Sequence, residues 1–185
     1  MKLSVLITGI SGSGKTSLSL MLAEMGYVAH DMDSVEGLFS MRDRDTMKPV
    51  VGYDSNDLDK VRRMRWICDV DRLKALLSNS DSSLNFYCGA ASNLFDLMSL
   101  FDAVILLKAT HDTTRSRLSN RTTSDHGRTA KIQDYILKYK DWWDNELEKK
   151  GAIAVDSNGS LAMVAAEVLR VVTAPTAIKP IDTCR

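Results

Sequence analysis

Residues Gly9-Ile10-Ser11-Gly12-Ser13-Gly14-Lys15-Thr16, GISGSGKT, follow directly on the apolar run Leu3 to Thr8. A tight packing turn needs one or two glycines. This stretch uses three, with serines between them, so it presents backbone rather than side chains. It matches G-x-x-x-x-G-K-S/T in full and lies between a predicted strand and a predicted helix, the context that pattern requires. Glycines let the backbone reach positive φ and approach a ligand with no Cβ in the way. The helix that begins near Lys15 adds the positive end of its dipole. The stretch therefore reads as a phosphate cradle built from Gly9, Ser11, Gly12, Ser13, Gly14, Lys15, Thr16 and Ser17. Lys15 is expected to reach the β- and γ-phosphates, and the Thr16 hydroxyl to coordinate Mg²⁺.

Outward from the loop, short apolar runs alternate with helical periodicities. Leu18, Met21, Leu22 and Met25 fall at i, i+3, i+4 and i+7, which predicts an amphipathic helix ended by Gly26. Tyr27 to His30 is a second strand, and Asp33 or Ser34 is placed to cap a helix to about Met41. Residues 43–56, with Pro49 and Gly52, read as a loop. Trp66, Val70, Leu73 and Leu77 predict one long helix. Further strands are expected at Leu84 to Cys88, Ala103 to Leu107 and Ala152 to Val155. Helices are expected at Ala91 to Leu100, Thr113 to Leu118, Ile132 to Leu147 and Leu161 to Val168. Short apolar strands alternating with helices indicate an α/β fold with a parallel sheet covered on both faces. Ligands of such sheets collect at the carboxyl ends of the strands, and the glycine loop follows one.

Composition narrows the class. At 185 residues the chain reads as one domain, expected over 1–172, with a non-periodic tail over 173–185. A chain of this size buries about 70% of the surface its unfolded form exposes. With 24 basic and 24 acidic residues the formal net charge is zero. Long-range attraction to nucleic acid or an anionic membrane is not expected. No apolar run approaches the length of a membrane span, and the start is too short for a signal sequence. Cys68, Cys88 and Cys184 lack metal-type spacing and read as reduced thiols of a cytoplasmic protein.

Two kinds of phosphate-loop protein lack their marks here. The N-K-x-D segment that reads guanine is missing. The Walker B acid of the large motor ATPases is missing too, since the run Ala103 to Leu107 ends in Lys108, and Leu84 to Cys88 ends in Gly89. What stands after the second strand is HDMDS, with Asp31 and Asp33. With GISGSGKT, these aspartates, and RLSNR from Arg117 to Arg121, the chain resembles the small P-loop kinases of the adenylate kinase, shikimate kinase and gluconate kinase group over roughly residues 3 to 172.

The resemblance implies a three-layer α/β/α P-loop NTPase sandwich whose five parallel strands run in the order 2-3-1-4-5. It implies an acceptor-binding insert at about 35–77 and a lid at about 119–129. Carried over, Asp31 helps to hold Mg²⁺ with Thr16, and Asp33 serves the acceptor hydroxyl. Arg117 stacks on adenine, while Arg121 contacts phosphate, and Arg128 sweeps in with the lid. Arg suits these tasks because it is planar, permanently charged and bidentate. The loop Tyr87 to Asn93 would line the acceptor pocket with Gly89, Ser92 and Asn93. It lacks the Gly-Gly-Gly and paired arginines of shikimate kinase, so the acceptor is left open.

The expected function is transfer of the γ-phosphoryl group of ATP to a hydroxyl or phosphate of a small metabolite. Lys15, Asp33 and Arg121 would be the catalytic residues, and ATP and Mg²⁺ the cofactors. A monomer or homodimer is expected. Two other classes stay open: a regulatory module that hydrolyses ATP slowly, and a polynucleotide-end kinase.

Overall fold

Val5 and Ile7 of the first strand pack into one apolar cluster and Leu6 into another. Successive side chains of a strand point to opposite faces, so this strand has to be covered on both sides. The structure is a computed structural model and describes residues 2–80, 82–122 and 126–174. Its elements in chain order begin with β1 (Leu3–Thr8), α1 (Lys15–Glu24), β2 (Val28–Asp31) and β3 (Phe39–Asp43). There follow α2 (Leu58–Arg63), β4 (Met64–Cys68), α3 (Val70–Ser78), β5 (Leu84–Cys88) and α4 (Leu94–Leu97). The chain continues with β6 (Ala103–Lys108), α5 (His111–Ser119), α6 (Ala130–Lys149), β7 (Ile153–Asp156) and α7 (Leu161–Thr173).

Five strands form a parallel sheet in the order β2-β5-β1-β6-β7. Among these five alone the order is second, third, first, fourth, fifth, as expected. The chain numbers differ because a separate antiparallel ribbon, β3-β4, is inserted between β2 and β5. Leu18 and Leu22 of α1 and Val164, Ala165 and Val168 of α7 cover one sheet face. Leu73 of α3, Leu94 and Leu97 of α4 and Leu147 of α6 cover the other. This is the three-layer α/β/α sandwich. Cys68 and Cys88 are buried and unbridged, and burial pushes their thiols up to about 11 and about 12 respectively. Cys184, the tail from 175 and positions 123–125 of the expected lid lie outside the described residues.

Two helical expectations fail in the insert. The expected helix from Asp33 to Met41 is a short 3-10 turn, Met32–Ser34, followed by β3. The cap is Asp31, whose Oδ1 accepts the Asp33 amide at 3.2 Å. Phe39-Ser40-Met41-Arg42 alternates with period two and pairs with β4, which fixes the extended form. The expected helix through Trp66 begins only at Val70. Asp69 Oδ1 accepts the amides of Asp71 and Arg72 and so starts α3 after the strand.

At the end of β6, Lys108 forms an ion pair with Glu148 of α6. Behind it Lys140 pairs with Asp144 at 2.6 Å, both buried. The lysine found where a motor ATPase keeps an acid thus ties the sheet to α6. His30 stacks on Tyr87, with ring centroids 5.1 Å apart, and His111 bonds Asp141. Trp143 of α6 packs against the core, while Trp142 on the same helix is more than half exposed.

Candidate phosphate-binding and acceptor site

The glycine loop occupies the turn from β1 into α1, at the carboxyl edge of the central strand. Gly9, Gly12 and Gly14 have φ of 148°, 86° and 104°, a region that side-chain-bearing residues rarely enter. A Cβ on Gly9 would lie 2.8 Å from the Leu107 carbonyl and 2.8 Å from Ser13 Oγ. The serine could turn away; the backbone of β6 could not. We therefore expect Gly9→Ala to cost about 1–3 kcal/mol, the usual size of such strain, as a lowered urea midpoint. An unchanged midpoint would mean that the loop does not need this backbone.

Helix α1 starts at Gly14 with no side-chain cap, and the Leu18 amide bonds the Gly14 carbonyl at 2.9 Å. The amides of its first turn are thus left for a ligand, as helix N-termini leave them. Thr8 Oγ1 and Ser13 Oγ are buried and lack a hydrogen-bond partner among the described residues. Bare amides, orphaned hydroxyls and glycine-only clearance fit an anion with several acceptor oxygens.

Lys15 donates to the carbonyls of Gly9 at 2.7 Å and Ile10 at 3.0 Å. An ammonium has three donors, so one remains. Burial lowers its pKa from 10.5 to about 8. Among the charges acting on it, the Asp33 carboxylate is the largest and raises it, Arg121 lowers it, and Asp31 raises it again. Lys15 sits on the glycine loop, Arg121 reaches the same loop through Ser11, and Asp31 and Asp33 lie close enough to act on the charge of Lys15. Asp31 ends β2 beside Cys88 of β5. Thr16 is half-buried in the first turn of α1, and Ser17 is exposed. Among the described residues, no three His, Cys, Asp or Glu side chains are grouped to hold a metal. The hard oxygen donors of Thr16 and Asp31 nonetheless suit Mg²⁺, which is commonly held by one or two protein oxygens, substrate phosphates and water.

The arginines divide the work. Arg121 Nη1 donates to Ser11 Oγ at 3.1 Å, from the expected lid onto the loop. Arg117 donates to the carbonyls of Ser13 at 3.2 Å and Ser157 at 2.6 Å, which clamps the glycine loop to the segment after β7. These bonds use the edge of its guanidinium and leave the face, the part that stacking uses. Arg128 Nε reaches the Arg121 carbonyl at 3.3 Å. Gly127 is buried, and a Cβ there would meet Leu118 at 2.8 Å.

Two sets of contacts at the site had no signal in local sequence patterns. Trp66, expected on a long helix, is half-buried on β4, stacked on Phe39 with centroids 5.2 Å apart, and donates Nε1–H to Asp33 Oδ1 at 3.0 Å. Ser92 and Asn93 dock the loop after β5 onto β4. Ser92 accepts the Trp66 amide on Oγ and donates its own amide to the Trp66 carbonyl. The Asn93 amide group brackets Cys68 with two bonds of 3.0 Å. Gly89 lies against Met32, whose Cβ would be 3.0 Å from an added Cβ.

The sequence profile of the AAA domain family matches residues 5–138. No curated protein matches the chain. Solved structures do match in fold. Deoxyadenosine kinase from M. mycoides has a TM-score of 0.56 at 14% identity, covering 93% of this chain and 100% of that one. A gluconokinase from Sinorhizobium meliloti has a TM-score of 0.53 at 19% identity, with 92% of each chain covered. A sugar kinase from Janibacter has a TM-score of 0.54 at 18% identity, covering 97% of this chain and 99% of that one. The fold is that of the small P-loop kinases.

Proposed function

The chain belongs to the AAA domain family, and from that premise we propose that it is an ATP-dependent kinase of a small metabolite. The observation that carries this reading is the position of Asp33. Its carboxylate is the largest charge acting on the phosphate-loop lysine, which supports a role for this acid on the acceptor side of the terminal phosphoryl group. The neighbours in fold are named as kinases of a nucleoside, of gluconate and of a sugar, and their chemistry supports the same class.

Phosphoryl transfer asks the protein mainly for positioning and charge neutralisation. In this reading the amides of the glycine loop and first turn of α1 wrap the phosphates, with Gly9, Ser11, Gly12, Ser13, Gly14 and Ser17 as lining. Lys15 exchanges its loop carbonyls for phosphate oxygens. Arg121, already on Ser11, lies against the transferred group. Asp33 takes the proton of the acceptor hydroxyl. Thr16 and Asp31 would hold Mg²⁺, which supplies further charge neutralisation when bound. The face of Arg117 supports adenine while its edge anchors the loop, and Arg128 closes with the lid over 119–129, excluding water. The domain over 1–172, the acceptor role of 35–77 and a monomeric or homodimeric state belong to the same proposal. Among the described residues no helix is long and apolar enough to cross a membrane. The test is phosphorus NMR of a reaction with ATP, Mg²⁺ and candidate acceptors. A new phosphate ester appearing with ADP supports the reading; inorganic phosphate alone would overturn it.

The lowered pKa of Lys15 gives a pH signature. Bound phosphate favours the ammonium, so ATP binding at and just above pH 8 should take up a proton, and affinity should fall as pH rises through about 8. The folding contribution runs the other way. The folded pKa is below the unfolded one, so the burial penalty is complete below about 8 and relaxes as pH rises from there towards 10.5. Calorimetric titration in two buffers of different ionisation enthalpy reads the uptake. The same binding heat in both would remove Lys15 from the ligand's phosphates.

A further inference from the structure

We infer that Trp66 is a positioning residue for Asp33, through which the β3-β4 ribbon sets the orientation of the candidate base. The inference rests on the proposed role of Asp33. The Trp66 indole N–H donates to Asp33 Oδ1 at 3.0 Å. A hydrogen bond to a carboxylate is charge-assisted and directional. It fixes the rotation of the carboxyl group and occupies one oxygen. Among the described residues no other donor reaches the Asp33 side chain, so the second oxygen is left for a ligand.

Such a donor works only if it is itself held, and Trp66 is held on two sides. Its ring lies flat on Phe39 of the neighbouring strand, with 9° between the planes. Its backbone is bracketed by Ser92, which accepts its amide at 3.1 Å and donates to its carbonyl at 2.7 Å. Two residues on, Asn93 fixes the strand to the same loop. A side chain supported by packing and by a second layer of hydrogen bonds can hold a reacting group to the tolerance that catalysis needs. Asp33 has little such support of its own. It sits in a three-residue turn between β2 and the ribbon, tied locally by its own amide to Asp31. The insert therefore supplies the constraint that the turn lacks, and anything that displaces the ribbon releases the acid.

A double-mutant cycle tests this. Trp66→Phe keeps a ring for the Phe39 stack and removes only the indole N–H. It should lower kcat roughly 10-fold, in line with loss of one hydrogen bond to a charged group, with the KM for ATP unchanged. In an Asp33→Ala background it should lower the residual rate no further. An equal loss in both backgrounds would make Trp66 a structural support alone and overturn the proposal. So would no loss in wild type when Asp33→Ala is itself impaired. A second readout needs no turnover. The Trp66 indole N–H resonance, assigned by its absence in Trp66→Phe or by through-bond correlations, should move in Asp33→Ala. An unmoved resonance overturns the coupling. If that resonance moves while Asp33→Ala keeps full activity, the coupling stands and the base assignment fails.

Discussion

Lys15→Ala should lower phosphoryl transfer by at least roughly 10²- to 10³-fold at saturating Mg-ATP, the loss typical when one preorganised electrostatic group is removed, with the fold retained. The stability half of the expectation comes from the environment of the ammonium. Burial disfavours its charge strongly enough to lower the pKa to about 8. Its two hydrogen bonds go to carbonyls of Gly9 and Ile10 in its own loop, and no distant element depends on them. Removing the side chain removes a desolvated charge along with those bonds. Thermal unfolding should therefore change little, or shift upward at neutral pH. Near-normal turnover in Lys15→Ala would remove the glycine loop from the mechanism. Loss of activity together with unfolding would make the lysine a structural residue.

Asp33→Asn should lower acceptor phosphorylation by about 10²- to 10⁴-fold, the usual worth of general acid–base help. ATP affinity should change far less, because the loop amides and Lys15 remain. Asn keeps the shape and an oxygen to accept the Trp66 N–H. It also leaves the turn intact, since the capping oxygen belongs to Asp31. The substitution therefore isolates charge and basicity. The measurement pairs nucleotide affinity by calorimetry with kcat for the acceptor. A large loss of affinity with unchanged kcat would move Asp33 from the acceptor to the nucleotide.

The sheet and the phosphate loop were legible because their signals are local. GISGSGKT carries its glycines, lysine and threonine within eight consecutive residues. The three inner strands, β1, β5 and β6, are buried on both faces, which suits the middle of a parallel sheet. The ribbon was not legible. β3 and β4 are only five residues each, too short for alternation to outweigh a competing helical reading. Trp66 also lies at helical spacing from Val70 and Leu73, so it merged with the pattern of α3. Asp69, the residue that starts α3, was the one signal that divides strand from helix.

The site shows the same division. Lys15, Asp31, Asp33 and Arg121 each follow a strand or sit in a short motif, which is why sequence alone singles them out, and the last three act on the charge of Lys15. The Trp66–Asp33 bond joins residues 33 positions apart on different elements, and no local pattern encodes it. The resemblance gives Arg117 the role of stacking on adenine and no part in holding the loop. Its grip on the carbonyls of Ser13 and Ser157 depends on β7 lying beside β6.

Phosphoryl transfer to a small acceptor is tested by ADP release measured with and without acceptor. Purified protein with Mg-ATP would be presented with nucleosides, nucleotides, sugars, sugar acids and polyols. At least one class should raise ADP release well above the rate without acceptor, and Lys15→Ala and Asp33→Asn should abolish the increase. ATP turnover at one rate, whatever acceptor is present, would contradict it and favour a nucleotide-driven regulatory module.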